Sequence, residues 1–462
     1  MQQGLSDLLA SVQSALQQED ADTLRQALRE THAADIADLL EELPDEQRSQ
    51  VLFGLDPHTL AEVVVMLGEA TRGEVVEELD TVSLTEMVAE LPPDDAADVL
   101  GELTDEESGE ILEQMPDEKS VPIEQLLVYG EETAGGIMTP DIVAIPATAT
   151  VHDAVDYVRD ATQEEDLNEV FIVDTERKLL GTVPLRRLVT NPSSTRLIDI
   201  CNKDVVAVRA TDDQETVLQI IRKYDVPEAA VLDEENRLVG RVTHDDLQDV
   251  AEEEAAEDLF RMAGTDPAEF EKQSVFHATR VRLTWLLPCM VGTLLTATVL
   301  GISKTHIDAV IFIALGFFVP MLGAMGGNSG IQISTVIVRG FATGDPGASR
   351  IFRTFLREGR IAMAMSVPCG VFAFSLVYLF LPLLQSLEGD GAVAVEPLRI
   401  AMAVGSAMTC AILVAGFLGI ALPFTFRRFG VDPAIASGPL VTTLNDVVSV
   451  GIYMTLAKFI AG

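Results

Sequence analysis

The sequence predicts a multidomain protein: an all-α superhelical N-terminal domain, a pair of α/β modules, a connecting helix, and an α transmembrane domain of five helices. Three observations predict it. A 12-residue pattern of apolar positions repeats through residues 43–115, the segment 137–145 recurs 63 positions on at 200–208, and every long apolar run lies after residue 276. Charge divides the chain at nearly the same place. Of the 73 Asp and Glu, 65 lie in residues 1–275 against 19 Lys and Arg, a net of −46. Residues 276–462 carry 8 acids and 12 bases, a net of +4. A strongly anionic water-soluble body is joined to a membrane block, and cations are its natural counter-ions.

At 462 residues there is room for several domains. Met1 is followed by Gln and Gly and then an amphipathic acidic stretch, without the basic start and apolar core of a signal peptide, so the acidic body is expected in the cytosol. Cysteine usage agrees. Cys289, Cys369 and Cys410 lie in apolar runs and Cys201 stands alone, so they read as small hydrophobes rather than ligands or disulfides. A body of this charge repels phosphate, which excludes nucleic acid as a partner. Salt adaptation would also produce an acidic surface, and composition does not separate the two causes.

In the first repeat, Leu43, Leu55, Leu67, Leu79, Leu91, Leu103 and Met115 share one column. Eight positions after each of the first six come Val51, Val63, Val75, Met87, Val99 and Ile111, followed by Leu52, Val64, Val76, Val88, Leu100 and Leu112. Turn residues follow the first column: Pro44, Asp56, Gly68, Asp80, Pro92, Thr104 and Pro116. Each unit reads as a short capped helix, too small to fold alone, and stacking such units gives a superhelix.

In the second repeat, Ile137-Met-Thr-Pro-Asp141-Ile-Val-Ala-Ile returns as Ile200-Cys-Asn-Lys-Asp204-Val-Val-Ala-Val. Each copy continues into a helix, then a strand ending Val173-Asp174 or Leu232-Asp233, and seven residues later comes Gly181-Thr-Val or Gly240-Arg-Val. Strand, helix, strand, tight turn, strand and helix make two α/β modules.

Five apolar segments follow, roughly Leu283–Ile302, Ala309–Val338, Ile361–Leu384, Ile400–Phe424 and Pro439–Ile460. Each reaches the ~20 residues needed to cross a bilayer core. Arg280 and Arg282 precede the first, Arg339, Arg350, Arg353, Arg357 and Arg360 separate the second from the third, and Arg427 and Arg428 follow the fourth. The positive-inside rule then sets the N-terminus in the cytosol and the C-terminus outside. Glu358, between these arginines, reads as the partner of one of them. Two features exceed what an anchor needs. The second segment holds Pro320-Met-Leu-Gly-Ala-Met-Gly-Gly-Asn328-Ser-Gly-Ile-Gln332, read as a broken, Gly-rich stretch; small-residue packing accounts for Gly323 and Gly326 but not for the amides of Asn328 and Gln332. The last opens with Val431-Asp432-Pro-Ala-Ile-Ala-Ser-Gly-Pro-Leu-Val-Thr442-Thr-Leu-Asn445-Asp446. A carboxylate within a span costs about 2.5–3.5 kcal/mol and commonly marks an ion pathway. Asp432 also suits an interfacial N-cap before Pro433, and both roles fit a helix start at the mouth of a pore. Asp446, two turns further in, has no such second role.

The two α/β copies resemble a tandem pair of CBS domains over about residues 136–250. Such pairs are regulatory, often dimeric, and some bind adenine nucleotides. Their nucleotide-contacting Thr-x-x-Asp pattern is present as Thr243 and Asp246 in the second copy and replaced at Pro184 and Arg187 in the first. The resemblance therefore implies at most one half competent for ATP or another adenine nucleotide. Taken whole, the chain resembles the MgtE family of magnesium channels. The most specific pieces are Gly326-Gly-Asn328-Ser-Gly-Ile-Gln332 with Arg339, and the Asp432 segment. The resemblance implies a homodimer in the cytoplasmic membrane with a pore between two five-helix bundles. It further implies hydrated Mg2+ bound in the pore by Asp432 of the Asp-Pro-Ala motif, and cytosolic domains that close the pore when internal Mg2+ is high. The expected boundaries are an acidic helical-repeat domain at 1–130, CBS domains at 136–199 and 200–254, a connecting (plug) helix at 255–278, and the transmembrane domain at 279–462.

The chemistry of the residues agrees. Mg2+ takes octahedral oxygen ligands and sheds water reluctantly, so its pore should hold the hydrated ion with a few carboxylates and carbonyls. Asp432, Asn328, Gly327, Gln332 and Asp446 are the candidate pore residues, with main-chain carbonyls freed near Gly327 and Pro439. The spans hold no Cys or His cluster for zinc or copper. The candidate gate is acidic. Asp94, Asp95 and Asp98 sit in one helical repeat, Asp245, Asp246 and Asp249 end the second α/β copy, and Glu252, Glu253, Glu254, Glu257 and Asp258 follow. Helical spacing sets Asp94 with Asp98, Asp246 with Asp249, and Glu254 with Glu257 and Asp258, on shared faces of like charge that repel until a divalent ion bridges them. Asp94, Asp98, Asp225, Asp246, Asp249, Glu254, Glu257 and Asp258 are the candidate regulatory ligands, on positions that the resemblance matches to the family's intracellular sites. Two rivals remain open: a CBS-regulated transporter of another divalent ion such as Co2+ or Mn2+, or a coupled exchanger, and a membrane sensor that conducts nothing. An enzyme is not expected, since the chain has no nucleophile–base pair, Walker loop or HExxH motif.

Overall fold

The structure is a computed structural model describing residues 2–18, 21–160, 167–244, 246–266, 275–342, 348–387, 396–436 and 438–461. It forms two compact units, Met1–Glu252 and Glu253–Gly462.

Among the described residues, the first unit opens with ten short helices. From Ala33–Glu42 onward they begin 12 residues apart: Asp45–Leu52, Pro57–Val65, Glu69–Glu78, Thr81–Val88, Pro93–Gly101, Asp105–Gln114 and Asp117–Leu126. The expected turn residues Pro44, Asp56, Gly68, Asp80, Pro92, Thr104 and Pro116 are all N-caps. Asp56 accepts from the Thr59 amide and Asp80 from the Ser83 amide, which holds both carboxyls below their ordinary range. Val51, Val63, Val75 and Met87 are fully buried, and most of the other residues in the repeated columns are buried with them.

The α/β modules have one topology twice. β1 (Ala144–Pro146) pairs in parallel with β2 (Glu169–Val173), which pairs antiparallel with β3 (Leu179–Pro184). β4 (Ala207–Arg209), β5 (Ala229–Leu232) and β6 (Leu238–Val242) repeat this, with an irregularity at the same point of the hairpin. The repeat extends to single bonds. Asp174 accepts from the amides of Glu176 and Lys178 and Asp233 from those of Glu235 and Arg237, around turns in which Arg177 and Asn236 have positive φ. The halves are interleaved, because Thr182 bridges Asn202 and Thr139 bridges Arg241. Gly181 and Gly240 permit this: a Cβ there would lie 2.6 Å from the Asn202 carbonyl or 2.8 Å from that of Thr139. Arg241 and Glu228 form a fully buried ion pair at 2.7 Å, and Arg241 also reaches the Asp141 carbonyl. One buried cluster runs from Val12 through Ala134 and Met138 to Val250, so the repeat domain and the second module share a core, while the first has its own.

In the second unit, four helices among the described residues are long and apolar enough to span a membrane: Val275–Lys304, Phe352–Leu383, Pro397–Arg428 and Pro439–Ile460. Ala309–Gly316 and Val319–Ala342, bent by 44°, make a fifth if the bent pair is one span. These coincide with the five expected segments. The expected connecting helix at 255–278 continues Asp246–Ala263, and residues 267–274 lie outside the described residues. Leu286, Met290 and Leu294 point outward from the first span, as lipid-facing side chains do. The fourth is the most enclosed, through a run of small residues that includes Ala403, Gly405, Ala407, Ala411 and Ala415.

The repeat makes a sharp stability prediction. Met87→Ala at a fully buried position should cost about 2–5 kcal/mol. Val82→Ala, at 61% exposure five residues earlier on the same helix, should stay within about 0.5 kcal/mol. Urea unfolding of a fragment covering Met1–Glu252, followed by circular dichroism, compares the two directly.

Candidate ion-pathway site

The glycine run of the second span is helical throughout, which corrects the expectation of a broken stretch between Pro320 and Gln332. The break falls earlier, between Gly316 and Val319, and the Leu315 carbonyl there accepts from the Tyr453 hydroxyl at 2.9 Å. Gly327 therefore has no freed carbonyl, and near Pro439 the carbonyl is taken by Thr443 at 2.7 Å. In hydrocarbon no water competes for backbone groups, so glycine loses much of its helix-breaking effect. Its use here is contact. A Cβ on Gly323 would lie 3.0 Å from Asp446 Oδ1, on Gly327 2.9 Å from Thr442 Cγ2, and on Gly330 2.6 Å from Val441 Cγ1. A Cβ on Gly326 would collide with the Asn445 amide. These glycines form a seat for the first two turns of the last span.

Beside this seat is a recess of about 360 Å³, lined by Thr293 and Thr296 of the first span, Pro320, Gly323, Ala324, Gly327 and Asn328 of the second, and Thr442 and Asp446 of the last. Asp446 Oδ1 is buried and has no hydrogen-bond partner among the described residues. Its neighbour Asn445 is fully buried against Gly326 and accepts from Ser449 at 3.0 Å. Asn445, Ser449 and Tyr453 form an i, i+4, i+8 polar stripe, which the sequence reading missed although its spacing was visible. The arrangement can hold a cation by one carboxylate, one amide and threonine hydroxyls while leaving room for water.

The structure brings together Asn328, Gly327 and Asp446 of the expected pore set and leaves out two members. Gln332 is exposed and does not line the recess. Asp432 lies before the short 3-10 helix Pro433–Ala436, where one oxygen accepts from the Ala434 amide at 2.8 Å. The other pairs with Arg261 at 2.7 Å. The cap expected of Asp432 at a helix start is thus formed. Glu358 is buried beside Arg357 at 3.6 Å, as read from the sequence.

The regulatory acids are spread along their elements. Asp94 and Asp98 lie on Pro93–Gly101, and Asp225 ends Gln214–Tyr224 in a left-handed conformation with φ 52°. Asp246 and Asp249 open Asp246–Ala263, which also carries Glu254, Glu257 and Asp258, while Asp245 lies outside the described residues. Asp246 accepts from the Thr243 hydroxyl at 2.6 Å and its amide at 3.0 Å, so the two residues of the Thr-x-x-Asp pattern are bonded to each other. Glu257 pairs with Arg261. Among the described residues, no three His, Cys, Asp or Glu gather as a metal-holding group.

Comparisons with known proteins bear on all of these regions. A family model described as a divalent cation transporter matches residues 319–456, an MgtE intracellular N domain model matches 31–132, and CBS domain models match 134–193 and 197–253. The chain is 34% identical over 341 residues to the magnesium transporter MgtE of Thermus thermophilus, covering 73% of this chain and 72% of that protein. It is 34% identical over 337 residues to the magnesium transporter MgtE of Enterococcus faecalis, covering 73% and 71%. Among solved structures, the cytosolic domain of the Mg2+ channel MgtE in complex with ATP is similar at 36% identity with a TM-score of 0.49, covering 52% of this chain and 99% of that one.

The seat predicts an asymmetry between glycines. Gly326→Val should destabilise the membrane unit by about 1–3 kcal/mol through overpacking against Asn445. Gly301→Ala, with nothing within 4 Å of its Cβ, should be neutral. Thermal melting of the detergent-purified protein distinguishes them.

Proposed function

The chain belongs to the MgtE family of magnesium transporters, and from that premise we infer that it carries Mg2+ across the cytoplasmic membrane by way of the Asp446 recess. The single observation that supports this most is the Asp446 carboxylate, set inside a span against glycines with a buried oxygen that no group among the described residues satisfies. Such a group needs a cation or water. Mg2+ arrives with its water, so Asp446 and Asn328 would act on the hydrated ion rather than strip it. Asp432, capped and ion-paired, serves the mouth of the path rather than its interior. Two copies in the membrane, each contributing one Asp446, would double the charge at the path. Arginines at 280, 282, 339, 427 and 428 support a cytosolic N-terminus and an external C-terminus.

The acidic domains act as the sensor. Shifting a gate from 1:99 to 99:1 takes about 5.5 kcal/mol of differential binding, and a site that favours the closed state tenfold supplies about 1.4, so roughly four bound ions suffice. Asp94, Asp98, Asp225, Asp246, Asp249, Glu254, Glu257 and Asp258 are the ligands from which these sites would be drawn. Faces of like charge that stay apart without the ion and meet with it give the coupling its sign. The second CBS module, through Thr243 and Asp246, is the place for an adenine nucleotide such as ATP.

Asp446→Asn in proteoliposomes should cut Mg2+ uptake by about tenfold to a hundredfold, the effect of losing about 1.5–3 kcal/mol of charged contact. Unaltered uptake would contradict the reading, and the same assay with Co2+ and Mn2+ tests the rival cargoes. For the gate, replacing Asp94, Asp98 and Asp249 together by Ala should leave currents that persist at high internal Mg2+. Patch recordings showing normal closure would count against the sensor.

A further inference from the structure

Arg261 stands near the end of the helix Asp246–Ala263, in the part that belongs to the membrane-spanning unit. Its guanidinium holds two carboxylates: Glu257 one turn back on its own helix, and Asp432, 171 positions along the chain. The pair with Asp432 is half sheltered, at 32% and 25% side-chain exposure. Asp432 is fixed in turn, because its other oxygen caps the 3-10 helix that leads to Gly438. The backbone beyond Arg261 is equally tightly placed. The Met262 carbonyl sits where a Cβ on Gly438 would be. Gly264, at φ +80°, lies so that its Cβ would be 3.0 Å from Pro439 Cγ and 3.6 Å from Trp285 Cβ. The C-terminal end of one helix, with its partly negative carbonyls, thus rests on the N-terminal end of the last span, where the partial charge is positive. Asp446 lies on that same span, seven residues on, about 10 Å at 1.5 Å per residue.

We propose that Arg261 is a tethered cation that docks the connecting helix on the entrance of the last span, doing with a guanidinium what a bound metal ion would otherwise do between Glu257 and Asp432. Two acids on separate elements repel at this distance, and one fixed positive charge between them turns the repulsion into adhesion. An arginine in this position adheres at any Mg2+ concentration. It therefore sets a basal level of closure on which the Mg2+-dependent response is superimposed, a role that rests on the recess being the ion path. Arg261 touches no group of the recess, so it is a positioning residue.

The test uses the full-length protein in nanodiscs. Trp285 is the only tryptophan in the chain and lies beside Gly264, so intrinsic fluorescence reports docking without a label. Arg261→Gln should raise the acrylamide quenching of Trp285, Arg261→Lys should lie between it and wild type, and Asp432→Asn, which keeps a capping oxygen, should match Arg261→Gln. The double variant should be no worse than either single one. In flux assays Arg261→Gln should need about fivefold more Mg2+ to close, the factor that about 1 kcal/mol of lost ion-pair attraction produces, with its maximal flux retained. Unchanged quenching in Arg261→Gln, or strictly additive effects in the double variant, would overturn the proposal. Quenching does not depend on transport, so failure of the latch is distinguishable from failure of the ion-path reading, which would show as undiminished flux in Asp446→Asn.

Discussion

A carboxylate among apolar helices has to be hydrated or paired, and much of the membrane unit follows from how Asp446 meets that requirement. Insertion costs of about 2.5–3.5 kcal/mol for such a group are tolerable only if water or a cation reaches it. The last span is pressed onto the glycines of the second, so that Thr442, Asn445 and Asp446 are held at fixed depth. Asn445 and Ser449 satisfy part of each other on the enclosed side, and Tyr453 ties the same helix to the break before Val319. The open side is left to the recess. Close packing and a polar cavity are two faces of one contact.

The first unit solves a different problem. Its helices are too short to be stable singly, and a strict 12-residue period brings their apolar columns into one shared core. The apolar columns fill the core, which leaves the remaining positions free to carry charge. Acids could accumulate there without disturbing the fold, and the caps at Asp56 and Asp80 even use some of them. A sensor for a divalent cation built this way separates stability from charge, so its acids are free to vary in number and placement.

What was legible in the sequence was local. The repeat fixed helix starts because its apolar columns and its N-caps are both within one unit, and the expected caps are the observed ones from Pro44 to Pro116. The doubled α/β pattern was legible to the level of the Asp174 and Asp233 turns. The glycine run was misread because glycine breaks helices in water, and the relevant medium and contacts are those of a packed bundle. The choice between Asp432 and Asp446 was hidden for a related reason. Only the pairing of the last span with the second shows which acid faces the recess, and only a contact across 171 residues shows that Asp432 already has Arg261. Gln332 is exposed and lies outside the recess that its neighbours Asn328 and Ile331 line, which spacing alone did not show.

The central claim is that the transported ion meets Asp446 inside the span. Crystals of the full-length protein grown with Mn2+ in place of Mg2+ would locate it by anomalous scattering. The account predicts a peak in the recess between Asp446 and Asn328, at a distance that leaves room for the ion's waters. A peak at the Asp432 carboxylate, with none in the recess, would contradict it.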